Sequence, residues 1–184
     1  IHVGGTLAAT SGVVNEGMIV GPGLGETGTI IADVDNTGTI VVGVSPAILT
    51  IDGDLNAASP GSTIHFELGG LAPGAEHDQL QVNGHFHADG TLSVDLATGY
   101  LPDPGDSYDI FEWSTSDGAF TTLNLPWLGS LGMARWDTTN LYSDGIIAVA
   151  TLRLGDCDLN GVVDAADIDD FIAILQGTSA DPYA

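Results

Sequence analysis

Residues 156–167 read Asp-Cys-Asp-Leu-Asn-Gly-Val-Val-Asp-Ala-Ala-Asp, so oxygen-bearing side chains stand at positions 1, 3, 5, 9 and 12 of a twelve-residue segment. Calcium is a hard cation that takes about six to eight oxygen ligands, and this spacing supplies them from positions 1, 3 and 5, the carbonyl of position 7, position 9 and a carboxylate at 12. The candidate ligands are Asp156, Asp158, Asn160, Val162 through its carbonyl, Asp164 and Asp167. Gly161 falls at position 6, where the backbone turns sharply and a Cβ is strained. Val163, at position 8, is expected to point away from the ion as a small apolar anchor. A solvated acidic turn is the competing reading. Position 12 is Asp, so bidentate coordination requires the following helix to sit closer than it would with Glu.

That helix is expected from Asp164 to Gln176, with Ile168, Phe171, Ile172 and Leu175 forming one apolar stripe. Gly177 supplies the stop. A calcium loop with Asp at position 12 and an apolar exiting helix resembles one half of a type I dockerin repeat, an EF-hand-like unit without the entering helix. Dockerins carry two such units and this sequence has one, so their binding activity is not implied. The stripe must then be covered by the preceding domain, another subunit or a second repeat. Cys157 is the only cysteine, so no internal disulfide forms; it reads as an exposed thiol or an intermolecular bridge.

The 184 residues suffice for one sizeable domain plus the calcium element. Arg135 and Arg153 are the only cationic side chains besides histidine, and the formal charge is −23. Such a surface repels phosphate backbones and anionic lipid and draws divalent cations. Nucleic-acid and membrane-surface partners are therefore disfavoured. With 43% hydrophobic residues, 26 glycines and only 15% charged residues, the composition is that of a folded β-rich chain and not a disordered acidic one. No run reaches the ~20 apolar residues of a membrane span. The start at Ile1 reads as that of a processed or trimmed product. Weak calcium sites of this type fill at the millimolar levels found outside cells, which makes an extracellular or cell-surface location the expectation.

Between residues 1 and 152, short β-prone runs alternate with Gly, Asp, Asn and Pro. They are Gly28–Val34, Gly38–Val44, Ile48–Ile51, Thr63–Leu68, Gln79–Val82, Thr91–Leu96, Tyr108–Trp113, Phe120–Leu125 and Ile146–Leu152. No helical period precedes Asp164, and the class is all-β. Asn15-Glu16-Gly17-Met18-Ile19-Val20 recurs as Asn36-Thr37-Gly38-Thr39-Ile40-Val41, a repeat about one rung of a β-solenoid long.

The series Asn36-Thr-Gly-Thr-Ile40, Leu49-Thr-Ile-Asp-Gly-Asp-Leu55, Asp78-Gln-Leu-Gln-Val-Asn-Gly84, Gly90-Thr-Leu-Ser-Val94, Gly105-Asp-Ser-Tyr-Asp-Ile-Phe111 and Gly118-Ala-Phe120 resembles autotransporter-type passengers and related bacterial surface β-helices. The resemblance implies a right-handed parallel β-helix at residues 1–152, with a β-sandwich as the alternative. A dockerin-like loop and helix at 153–177 and a tail at 178–184 follow. It implies no particular activity, because such stalks carry many.

Other chemistry is weakly supported. His85 and His87 share one face of a strand, with His77-Asp78 nearby in sequence. Unless a third ligand and a supporting shell converge on them, they are surface histidines. Paired carboxylates could hydrolyse glycosides, but 25 acids yield chance pairs, and pectin-cleaving β-helices also need basic residues that are scarce here. There is no Gly-x-Ser-x-Gly elbow, phosphate loop or dinucleotide fingerprint; Gly21-Pro22-Gly23-Leu24-Gly25 reads as a loop between rungs. Asp33, Asp35, Asp52 and Asp54 read as turns or a solvated face before they read as ligands. Trp113, Trp127 and Trp136 are expected to be buried before they are expected to stack on sugars. The leading expectation is a non-enzymatic extracellular structural protein that associates with copies of itself into a fibre, sheath or surface layer, with Ca2+ clamping its C-terminal element. The alternative is a secreted carbohydrate-binding or adhesion module that recognises extracellular glycans, and a polysaccharide-active enzyme comes third.

Overall fold

The computed structural model of the chain describes residues 1–44, 46–57, 61–128, 134–151, 155–156 and 163–176. Runs of Val, Ile and Thr form short strands, and Gly, Asp and Asn end each one. Three successive passes of the chain have the same plan: β1 (Thr6–Ala8), β2 (Val13–Asn15) and β3 (Met18–Val20); β4 (Thr27–Ile31), β5 (Val34–Asn36) and β6 (Thr39–Val41); β7 (Ile48–Ile51), β8 (Leu55–Asn56) and β9 (Thr63–Leu68). In the fourth pass the long β10 (Gln79–Ala88) pairs with both β7 and β8 in one register, and β11 (Thr91–Leu96) follows; against the next pass its register shifts between Val82 and His85. After the short β12 (Ser107–Asp109), the fifth pass consists of β13 (Phe111–Gly118), paired along β10, and β14 (Thr122–Asn124).

Every ladder between these passes is parallel. The strands stack as β1-β4-β7-β10-β13, as β2-β5-β8-β10-β13 and as β3-β6-β9-β11-β14. The Asn-x-Gly-x-Ile-Val repeat is stacked directly on itself: Asn15 opposes Asn36 and Ile19 opposes Ile40. The class is thus all-β with parallel sheets, and this pairing is not that of a sandwich of antiparallel sheets.

Because the ladders are in register, alternate residues form continuous columns on the buried face. Ile19, Ile40, Ile64 and Leu92 make one, all fully buried. Val13, Val34, Leu55 and Phe86 make another, in which the side chain grows along the stack. The last passes are filled with rings. Phe111 meets Phe66 edge-on at 4.9 Å, stacks on Phe86 at 5.2 Å, and reaches Phe120 and Trp113 at 5.9 Å.

The corners between strands are held by short polar side chains and glycine. Buried Asn15 donates from Nδ2 to Asn36 Oδ1 at 2.7 Å and to the Thr39 carbonyl at 2.9 Å. This ladder stops at buried Ala57, leaving Asn36 Nδ2 without a hydrogen-bond partner. At the neighbouring corner Asp33 Oδ1 accepts the Asp54 amide at 2.9 Å, and Asp54 Oδ1 in turn accepts the His85 amide at 2.7 Å. Gly84 is required there, since a Cβ would lie 2.2 Å from Asp54 Oδ1 and 2.5 Å from the Gly53 carbonyl oxygen.

Beyond the fifth pass the pattern changes to antiparallel. β12 and β15 (Ala134–Asp137) flank β16 (Ile146–Thr151), and the one-turn α1 (Leu141–Asp144) precedes β16. The Gly145 carbonyl accepts the amides of Ile110 and Phe111, both at 3.1 Å, tying this end piece to the start of β13. Leu141, Ile147 and Val149 are buried in the same core as the parallel columns. α1 spans four residues, too few to show the helical period that the sequence lacks before Asp164. α2 (Ala166–Leu175) completes the described chain.

Truncating Phe111 to Ala is expected to cost about 3–5 kcal/mol, as for other buried aromatic deletions. Asn15→Ala, which strands the Asn36 and Thr39 acceptors, should cost about 1–3 kcal/mol. Urea unfolding of both variants checks the order; an Asn15→Ala midpoint equal to that of wild type would contradict the ladder.

Candidate metal centre

Of the six calcium ligands expected from sequence, Asp156, Asp164 and Asp167 belong to the described residues. Asp158, Asn160 and Val162 lie outside them, as does Cys157. Asp156 and Asp167 are only 2% and 3% exposed, whereas Asp164 is exposed. The Asp164 amide donates to Asp167 Oδ2 at 2.7 Å, which joins position 9 of the loop to position 12 at the start of α2. Asp167 and Asp169 occupy the first turn of that helix, where the positive end of its dipole favours carboxylates. Val163 is 51% exposed and so is less of an anchor than expected. Even so, a Cβ on Gly155 would stand 3.3 Å from Val163 Cγ1, so the residue before position 1 meets position 8 across the loop.

The donor set fits calcium. Burying an ionised carboxylate is costly unless a cation or hydrogen bonds compensate, and Asp156 and Asp167 are both buried in a chain with only two Arg and no Lys. Hard carboxylate and carbonyl oxygens suit calcium better than a soft transition ion. A bound ion would be held by Asp156, Asp164 and Asp167 together with the other ligands read from the sequence, and it would add positive charge beside these carboxylates.

α2 carries Ile168 and Ile172 on its surface, 58% and 42% exposed. The half of the stripe that is visible is therefore not packed on the β body. The side chains of Phe171 and Leu175 lie outside the described residues.

The histidines separate into two groups. His77 is fully buried, its Nδ1 3.0 Å from the Gly70 carbonyl and its Nε2 3.2 Å from that of Asp109. Its neighbour Asp78 is also buried and accepts the Ala47 amide at 3.1 Å and the Glu67 amide at 2.8 Å, pinning two passes together. Burial pushes its carboxyl up to about 7, although both amide bonds oppose the shift. His85 and His87 instead stand on the outer face of β10, opposite Thr115 and Asp117 of β13. His85 Nε2 lies 3.2 Å and His87 Nδ1 2.5 Å from Asp117 Oδ1. The His87 hydrogen bond, with help from His85, holds the Asp117 carboxyl below the ordinary carboxylate range. Sequence spacing pairs the histidines but gives no sign of Asp117, which only the β10–β13 register supplies. Among the described residues, no group of three or more His, Cys, Asp or Glu side chains stands ready to hold a metal ion.

Asp33, Asp35, Asp52 and Asp54 are structural, as the turn reading expects. Asp35 and Asp52 accept from Asn56 and Asn83 at 3.0 and 3.3 Å, and the other two hold corner amides. Trp113 and Trp136 pack against the core, but Trp127 is 74% exposed, contrary to the expectation of burial. Trp113 also borders a groove of about 330 Å3 shared with Asp109, Glu112, Ser143 and Asp144.

No family model, curated protein or solved structure matches the chain. Among the described residues, no helix is long and apolar enough to cross a membrane.

Asp156→Ala and Asp167→Ala are each expected to weaken calcium binding by about tenfold or more, about 1.4 kcal/mol, and to reduce helicity. Calorimetric titrations unchanged in both variants would refute the site. Asp78 gives a separate test. Its carboxyl binds a proton more tightly folded than unfolded, so its contribution is full below the ordinary value of 3.8 and is lost as pH rises through about 7. Thermal melts should show wild type losing more stability than Asp78→Asn across that window; parallel profiles would contradict it.

Proposed function

We propose that this chain is a non-enzymatic extracellular structural protein, built as a right-handed parallel β-helix, that associates with copies of itself into a fibre, sheath or surface layer. Calcium held by the C-terminal loop sets the position of α2. The β-helix reading is supported by the ladders, in which each pass of the chain pairs in parallel with the one before at offsets between 21 and 31 residues. Right-handedness follows the general preference of parallel connections.

One observation carries self-association. Among the described residues, β1 and β2 are each paired on one side only, β1 with β4 and β2 with β5. An open parallel edge presents backbone donors and acceptors to any further strand. Here it borders half-buried Leu7 and Val13, which pack on the core, and exposed Val14. At the far end β13 and β14 are likewise paired on one side only among the described residues, while the antiparallel β12-β16-β15 piece and α1 bury Leu141, Ile147 and Val149 in the same core. Contacts between unlike ends generate filaments when they do not close, and exposed Ile168 and Ile172 offer a second apolar contact. Repulsion between chains of charge −23 opposes such contacts; calcium reduces it, and physiological salt confines the remainder to a Debye length of ~8 Å.

The carbohydrate-binding or adhesion reading has its own support. Exposed Trp127, and the groove beside Trp113 with its carboxylates, combine the apolar faces and acceptors that sugars use.

Sedimentation and electron microscopy of the protein in calcium and in chelator separate these readings. Concentration-dependent, calcium-promoted assemblies are expected. A monomer at every concentration in calcium that binds a glycan would replace the structural reading with the second one.

A further inference from the structure

We propose that His85, His87 and Asp117 form a second metal site, distinct from the calcium loop and suited to a divalent first-row transition ion such as zinc. The three side chains come from adjacent strands in fixed register, with His87 directly opposite Asp117 and His85 opposite Thr115. Two imidazoles and one carboxylate are a zinc-type donor set, softer than the all-oxygen calcium loop.

One of the donor pairs already has the spacing an ion needs. Ligand atoms at ~2.1 Å from a common ion are about 3.0 Å apart at right angles and about 3.4 Å apart in a tetrahedron. His85 Nε2 and Asp117 Oδ1 already stand 3.2 Å apart. His87 Nδ1 is hydrogen-bonded to the same oxygen at 2.5 Å and must withdraw by roughly half an ångström or more to meet the same criterion. As they stand, the donors hold one another and enclose no ion cavity. Binding replaces the hydrogen bond between ring and carboxylate by bonds from both to the metal; the ring keeps one proton, on Nε2, and any second proton passes to solvent.

The shift is small for side chains that are 42%, 38% and 62% exposed, on strands that do not have to move. His85 also has a supporting contact. In the tautomer that donates Nδ1–H to Thr115 Oγ1 at 2.9 Å, its lone pair lies on Nε2, the atom turned toward Asp117. Ligating histidines are commonly oriented by such a second hydrogen bond. Water completes the coordination on the open side, and the negative surface concentrates cations around it. The other exposed ion pair of this kind, His65 with Asp95 at 3.0 Å, has a single imidazole and serves as a control.

Titration calorimetry of the full chain with zinc chloride, in excess calcium, tests the site. The expected result is zinc binding that weakens about tenfold or more in His85→Ala, in His87→Ala and in Asp117→Asn. His65→Ala and Asp156→Ala should leave it unchanged. Zinc should also shift the ring resonances of His85 and His87 and leave those of His77 in place, a readout independent of variant folding. Absence of zinc binding in the micromolar range, wild-type affinity in the His85→Ala, His87→Ala double variant, or a loss that follows His65 or Asp156 instead would overturn the proposal.

Discussion

Parallel stacking of one pass of the chain on the next, in strict register, is the constraint on which the rest of the structure depends. A register slip of one residue turns every inward side chain outward, so the columns of Ile, Val, Leu and Phe exist only while the ladders hold. The corners enforce this register. Asn15 on Asn36, and Asp33 on the Asp54 amide, are bonds between equivalent positions of consecutive repeats, and no other alignment preserves both. Glycine is needed where backbones approach at these corners, as Gly84 does over Gly53. The same short polar residues that end each strand therefore specify how the next is placed.

A stack of this kind has no natural stop. The fifth pass is closed off by the ring cluster around Phe111 and by the antiparallel piece carrying Leu141, Ile147 and Val149. The Gly145 carbonyl satisfies the Ile110 and Phe111 amides where the parallel order ends. The first pass has no equivalent in β1 and β2. Among the described residues the two ends of the stack therefore differ in how their apolar interior is covered, and the proposed association through unlike ends draws on that difference.

Much of the β body was legible in the sequence because each buried run alternates and is bounded by turn formers. The run Thr63–Leu68, for example, is β9 as expected, and the repeat beginning at Asn15 stacks on its copy at Asn36. The two- and three-residue strands at the corners were not, since pieces such as Val13–Asn15 and Leu55–Asn56 are too short to show a period. The antiparallel end piece escaped for a related reason: β15 pairs with β16 across the intervening α1, and its few residues carry no signal of that partner. In the candidate metal centre, spacing alone pointed to Asp156, Asp164 and Asp167; the first and last are buried, and the Asp164 amide is tied to Asp167 at the start of α2. Asp117 could not be found this way, because its place beside His85 and His87 is set by the β10–β13 register and not by local sequence. Trp127 was misjudged from residue type, which says nothing of a loop that leaves the core.

Stacked register is tested most directly by disulfide cross-linking of equivalent positions in a Cys157→Ser background. Val14 and Asp35 are opposed and both outward-facing, and neighbouring parallel strands are about 4.8 Å apart, within the ~4.4–6.8 Å a disulfide spans between Cα atoms. The chain with Val14→Cys and Asp35→Cys should form an intramolecular bridge under mild oxidation. The chain with Val14→Cys and Asn36→Cys, whose second side chain points into the core, should not. Equal cross-linking of the two, or none in the first, would contradict the parallel stack.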